Sequence, residues 1–169
     1  MDKINVYSIK LHIDKEVEIY DSTVKTADKA AEIINLVFDL NNDAVEKLGV
    51  IALNHEYKVS GIQMVAVGKV NCVGADYSQI FNPSALHHSK LLILFHNHPS
   101  GDPKPSVFDI AFTQDQVAFG DLYGVKIFDH IVIGRDKYHS MRDNRDVSFA
   151  RPLYKFDISG LFDEHEKNS

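Results

Sequence analysis

The sequence predicts an α/β domain, and three observations carry that class. Two apolar runs of strand length, Gly49 to Leu53 and Val59 to Val67, flank the turn Asn54-His55-Glu56-Tyr57. A third run, Leu91 to Phe95, ends in His96-Asn97-His98-Pro99 and passes through a turn-rich loop into a helical pattern. Helical stripes lie before the first run and after the third, so strands and helices alternate along the chain. The 169 residues suffice for one core, with 44% apolar residues to fill it.

Composition removes several classes. The net charge of −6 gives no global electrostatic footprint for nucleic acid, although it leaves a local basic patch open. Cys72 is the only cysteine, which rules out an intrachain disulfide and argues against a cysteine-based zinc knuckle. No apolar run approaches membrane-spanning length, and the N-terminus lacks the apolar segment of a signal peptide. The expected setting is the cytoplasm.

Each element has its own warrant. Alternation over Ile4 to Leu11, with Val17-Glu18-Ile19-Tyr20, suggests a hairpin or edge strands over residues 1–25; His12 reads as a surface residue. Thr26 caps a helix whose Ala27, Ala30, Ala31, Ile34, Val37 and Phe38 recur at helical spacing. Asn41-Asn42-Asp43 breaks it and caps a short second helix, Ala44 to Leu48, before the strand pair. Gly68 to Asp76 is a connection in which Cys72 packs as a small hydrophobe. Ser78 opens a helix through Leu86, and Pro83 implies a kink or a break after Asn82. His87 and His88 read as cations at its C-terminus.

After Asp109, the residues Ile110, Ala111, Gln114, Val117 and Ala118 share a helical face, and Gly120 and Gly124 offer stops. The strand Val125 to Ile133 follows, then a turn through Arg135-Asp136-Lys137 and a last short strand, Tyr138 to Met141. Asp129-His130 reads either as a buried hydrogen-bonded pair or as a pair that orients a ligating histidine. The expected organisation is an N-terminal extension over 1–25, a main domain over 26–145 and a tail over 146–169. In that tail Phe156, Leu161 and Phe162 dock and Asp163 to Ser169 fray.

The chemistry-bearing residues cluster in the Leu91–Asp109 stretch. Strand side chains alternate faces, so His96 and His98 project to one side a few ångströms apart, where two imidazoles can chelate one metal. Pro99 stops the ladder, and Gly101, Pro103 and Pro105 turn the chain and limit its slack. Ser106 with Asp109 three residues on resembles a capping box, which places Asp109 in the first helical turn. Two histidines and one aspartate leave a fourth zinc position for water, the pattern of a catalytic rather than a structural site. Each part alone is compatible with plain packing or capping, and Asp102 also fits the carboxylate position by spacing.

The joint pattern His96-X-His98-Pro99, Ser106 and Asp109 resembles the JAMM motif of the JAB/MPN metalloproteases, and HNHPSGDPKPS resembles their RadC branch. GVKIFDHIVIGRDKYHSMRD downstream and EKLGVIALNHEYKV upstream extend the similarity from about Ala44 to Asp143. The resemblance implies an MPN/JAB-type three-layer sandwich, cytidine-deaminase-like, with a mixed central sheet. It implies Zn²⁺ on His96, His98 and Asp109, with Mn²⁺, Fe²⁺ or Co²⁺ as alternatives. Glu46 matches the glutamate that takes a proton from metal-activated water; spacing does not choose it over Glu32 or Glu56. Ser106 is then placed to donate to a tetrahedral oxyanion. The implied activity is hydrolysis of a peptide or of an isopeptide-linked protein.

Two departures qualify the resemblance. Ser78-Gln79 stands where RadC members carry an Arg-Glu pair, and the chain shows no helix-hairpin-helix region, as in a shortened stand-alone form. Other His-X-His chemistries fail. A zincin needs His-Glu-X-X-His, but Val59 stands where the second histidine belongs. A zinc deaminase needs paired cysteines, and a metallo-β-lactamase wants Asp and His where Ser100 and Gly101 stand. An amidohydrolase barrel needs roughly 250 residues, and the order strand, loop, helix is not that of an all-β cupin. The rival function is an accessory protein of DNA repair or of a mobile element, with the metal structural or vestigial. A metal-free regulatory MPN module is the third.

Overall fold

The computed structural model describes residues 3–5, 11–68 and 75–149. Along the chain come α1 (Ala27–Phe38), a single 3₁₀ turn (Leu40–Asn42), β1 (Lys47–Leu53), β2 (Val59–Val67), α2 (Tyr77–Leu86), β3 (Leu91–Asn97), α3 (Val107–Tyr123), β4 (Lys126–Ile133) and β5 (Tyr138–Ser140). The five strands form one sheet in the order β2-β1-β3-β4-β5. Among the described strands only β3 and β4 run parallel, joined through α3; the other pairings are antiparallel. This is the expected mixed α/β architecture.

Alternation along β3 divides the core into two layers. Leu92 and Leu94 pack with Ile80 and Phe81 of α2 and Phe112 and Val117 of α3. Ile93 and Phe95 pack with Ala30, Ile33 and Ile34 of α1 on the other face. β3 therefore buries both faces, as a central strand between helical layers must, whereas the edge strand β2 stays partly exposed along its length. His96 continues the parity of Leu92 and Leu94, so its ring enters the α3 layer.

Four expectations need correction. The helix over Ala44 to Leu48 does not form, and β1 already begins at Lys47. The Asn97 side chain takes up the backbone there: its Oδ1 accepts from Lys47 N at 2.8 Å and its Nδ2 donates to Val45 O at 3.1 Å. Pro83 neither breaks nor ends α2. It forfeits one helical bond late in the element, while Ile80, Phe81, Pro83 and Ser84 are buried and hold the segment. Gln79 accepts from Asp76 N at 2.9 Å, the reach-back of a capping box that glutamine makes as well as glutamate.

His87 is a packing residue rather than a helix-end cation: burial lowers its pKa, and its ring fills the space over Gly61, where a Cβ would lie 2.3 Å from it. Residues 11–22 form no regular strand, and Thr23 makes only a bridge to Lys58. The remainder of the expected N-terminal strands, Cys72 and the tail beyond Phe149 lie outside the described residues.

Candidate metal centre

The centre sits where β3 ends, beside the N-terminus of α3. The loop between them is drawn in tightly. Gly101 adopts a left-handed φ of 84° and donates to His98 O at 2.9 Å. Arg135 N donates to Gly101 O at 3.1 Å, and Gly134 permits this approach, since a Cβ there would lie 2.5 Å from that oxygen. Ser106 caps α3 reciprocally: its Oγ accepts from Asp109 N at 3.2 Å, and its own N–H donates to Asp109 Oδ2 at 2.7 Å.

This capping turns the Asp109 carboxylate toward the end of the strand. Asp109 Oδ1 lies 3.6 Å from His96 Nε2, and Oδ2 lies 3.5 Å from His98 Nε2. The two Nε2 atoms are 3.0 Å apart. Glu46 arrives from the neighbouring strand. Antiparallel pairing sets Leu48 opposite His96, which brings the residues before β1 alongside His98. Glu46, His96 and His98 each offer a ligand-type atom within 4.8 Å of the others. The segment carrying Glu46 is pinned by Asn97, by Gly68 N donating to Glu46 O at 2.9 Å, and by a Lys47–Asp43 ion pair. Asn97 stands between the two histidines, and sequence reasoning gave it no role.

Burial and charge treat these groups differently. Burial pushes the His96 pKa down to about 4, a shift only partly opposed by the Asp109 charge. His98 is raised, chiefly by its hydrogen bond with Asp109 and against the effect of burial; the Asp102 carbonyl and the Glu46 charge add to the rise. Burial alone would raise Asp109, but the contacts with His98, His96 and Ser106 outweigh it and hold the carboxyl far below the usual range.

The donor set fits a divalent cation. His98 Nδ1 lies 2.8 Å from the Asp102 carbonyl oxygen, which can only accept, so the neutral ring presents its Nε2 lone pair to the centre. Two imidazole nitrogens and a carboxylate facing one another at these distances form an electron-rich pocket that a cation relieves. Asp102 contributes that carbonyl and not its carboxylate, which accepts from Lys104 N at 3.3 Å.

Asp129 and His130 do not act as a ring-to-carboxylate pair. As neighbours on one strand they face opposite ways. Asp129 accepts from His130 N at 2.7 Å, Ser140 Oγ at 2.6 Å and Arg142 N at 3.0 Å, while burial raises its pKa. The His130 ring instead meets His96 Nδ1 at 2.8 Å.

A family model described as the RadC-like JAB domain matches residues 24–146. A UPF0758 protein of Desulforudis audaxviator (strain MP104C) is 33% identical over 123 residues, covering 73% of this chain and 53% of the relative. One from Carboxydothermus hydrogenoformans (strain ATCC BAA-161 / DSM 6008 / Z-2901) is 36% identical over 110 residues, covering 65% of this chain and 49% of the relative. The chain thus spans about half the length of the curated relatives it matches. No helix among the described residues is long and apolar enough to cross a membrane. With its mixed sheet and a His/His/Glu group able to hold a metal ion, the chain belongs to the RadC-like JAB domain family.

Proposed function

We propose that the chain is a JAMM-type hydrolase of peptide or isopeptide bonds, with His96, His98 and Asp109 holding one divalent ion. The observation that carries this reading is the convergence of the two Nε2 atoms on the Asp109 carboxylate with Glu46 at their side. Mixed imidazole–carboxylate ligation favours Zn²⁺, with Mn²⁺, Fe²⁺ or Co²⁺ as alternatives. Such an ion supplies Lewis acidity and lowers the pKa of water toward about 7.

The chain's own residues do the rest. Glu46 takes a proton from the attacking water and returns it to the leaving amine. Ser106 Oγ accepts from the helix backbone, which leaves its O–H free to donate to the oxyanion. His98 and Glu46 stand on the more open side, where an extended substrate can approach; His96 and Asp109 stay buried. Turnover of a peptide and isopeptide library by wild type, chelated protein and Glu46→Gln tests the assignment. Glu46→Gln is expected to keep its metal and lose turnover by several orders of magnitude. Unchanged turnover in that variant sinks the role of Glu46.

One observation favours the rival reading as a nucleic-acid accessory. Lys126, Arg142 and Arg145 line a cleft of about 460 Å³ together with the rings of Phe128 and Phe149. Cations beside aromatic faces suit a single-stranded backbone and its bases. Salt-dependent binding of an oligonucleotide, lost in Lys126→Glu with Arg145→Glu, would support it; no binding at low salt would remove it.

A further inference from the structure

We infer that His130 and Thr113 are positioning residues which set the tautomer of His96, so that its Nε2 faces the centre without a proton. The inference rests on the metal reading of the site, but not on its proteolytic activity. It follows from a chain of hydrogen bonds in which only one direction is allowed.

The chain starts at the Asp109 carbonyl oxygen, which only accepts. Thr113 Oγ1 lies 2.6 Å from it and donates its hydroxyl proton there. The other nearby acceptor, Met141 Sδ at 3.3 Å, competes for that same proton and changes nothing upstream. With its one proton spent, Thr113 Oγ1 can only accept from His130 Nδ1, 2.6 Å away. A neutral His130 therefore carries its proton on Nδ1 and a lone pair on Nε2. That lone pair lies 2.8 Å from His96 Nδ1 and must receive a proton from it. His96 is left with a bare Nε2, 3.0 Å from His98 Nε2 and 3.6 Å from Asp109 Oδ1.

The chain closes on the site it serves. It begins at the backbone of one proposed ligand and ends at the ring of another, so β3, β4 and α3 hold both in common register. All four residues are buried, at 2% exposure for His96, 3% for Asp109, 0% for Thr113 and 1% for His130, so water cannot substitute for a lost partner. Ligating histidines ordinarily donate their second N–H to a carboxylate, a carbonyl or water. Here a neutral imidazole takes that place, which orients the ring without adding negative charge behind it.

The test reads tautomers directly. Imidazole ¹⁵N NMR of the metal-free full chain is expected to show His96 and His130 both protonated on Nδ1. Thr113→Val removes the acceptor for His130 Nδ1–H, which frees the His130 proton to move to Nε2. His96 must then carry its own proton on Nε2, so the two rings switch together, a concerted response that mere packing damage would not produce. Zn²⁺ affinity, read by competition with a chromogenic chelator, is expected to fall about 10–100-fold. Thr113→Ser restores the hydroxyl and should restore both readouts. His96 protonated on Nε2 in the wild type overturns the inference, a result that needs no variant to fold. Unchanged tautomers and Zn²⁺ affinity in a folded Thr113→Val overturn it as well. Protein with the expected tautomers and tight Zn²⁺ binding but no peptide cleavage would defeat the proposed function and leave this inference standing.

Discussion

His96 and His98 are two residues apart and face the same point, yet their surroundings are opposite. His96 lies in the sheet between β1 and β4, with His130 behind its ring. His98 lies past the end of β3, on a loop held by glycine geometry, with a backbone carbonyl behind it. Burial depresses the first ring and a carboxylate raises the second. The difference shows how one site divides its work. The buried half fixes geometry, and the open half faces solvent and Glu46.

The largest test of that contrast is the removal of each ring. His96→Ala should abolish Zn²⁺ binding at micromolar protein, because it strips a ligand and strands the His130 lone pair in the core. His98→Ala should weaken binding with less damage to folding, since water can reach the vacated position. Equal losses of thermal stability in the two variants would show that the halves do not differ as described.

The two rings should also respond to pH in opposite senses in metal-free protein. The His96 pKa is lower in the fold than the ordinary 6.5. Its contribution to stability is therefore present above pH 6.5 and lost as the pH falls through about 4, an effect of up to about 3 kcal/mol. The His98 pKa is higher in the fold, so its contribution is present below 6.5 and is lost as the pH rises through the raised value. Denaturant titrations between pH 4 and pH 8 on wild type and on each single alanine variant would separate the slopes. His96→Ala should flatten the acid limb; an acid limb of undiminished steepness would contradict the burial argument.

A smaller effect is expected at Asn97. Asn97→Ala leaves Lys47 N and the carbonyl of Val45 without the partners they now have. A cost of about 1–3 kcal/mol follows from losing these two part-buried hydrogen bonds, with turnover reduced more than metal affinity because Glu46 rides on that segment. Metal affinity falling in step with stability would place Asn97 in the ligand frame instead. Ser106→Ala should cost about 1 kcal/mol of stability through the lost cap; if Ser106 has the proposed oxyanion role, turnover should also fall roughly 10²–10³-fold.

Much of this was legible in the chain. Apolar runs located the four longer strands to within two residues at each end: β1, β3 and β4 are buried on both faces and read as continuous apolar segments, while the partly exposed β2 was set off by the turn before it. Thr26 and Ser106 announced the two helix starts by capping chemistry alone. What failed depended on distant partners. Ala44 to Leu48 looks helical until Asn97, far along the chain, claims its backbone. Pro83 looks disruptive until buried neighbours hold the turn it sits in. Glu46 could not be singled out because its approach is set by the pairing of Leu48 with His96. Thr113 was recoverable in part: it lies four residues after Asp109 on the same helical face, but only the fold shows a histidine waiting there.

In the proposed assignment the ion rests on His96, His98 and Asp109 while Glu46 moves a proton. Elemental analysis of freshly purified Asp109→Asn and Glu46→Gln, side by side, tests it most directly. One equivalent of metal retained by Glu46→Gln and essentially none held by Asp109→Asn is the expected result. The reverse pattern, with metal kept by Asp109→Asn and lost from Glu46→Gln, would contradict it and make Glu46 the ligand.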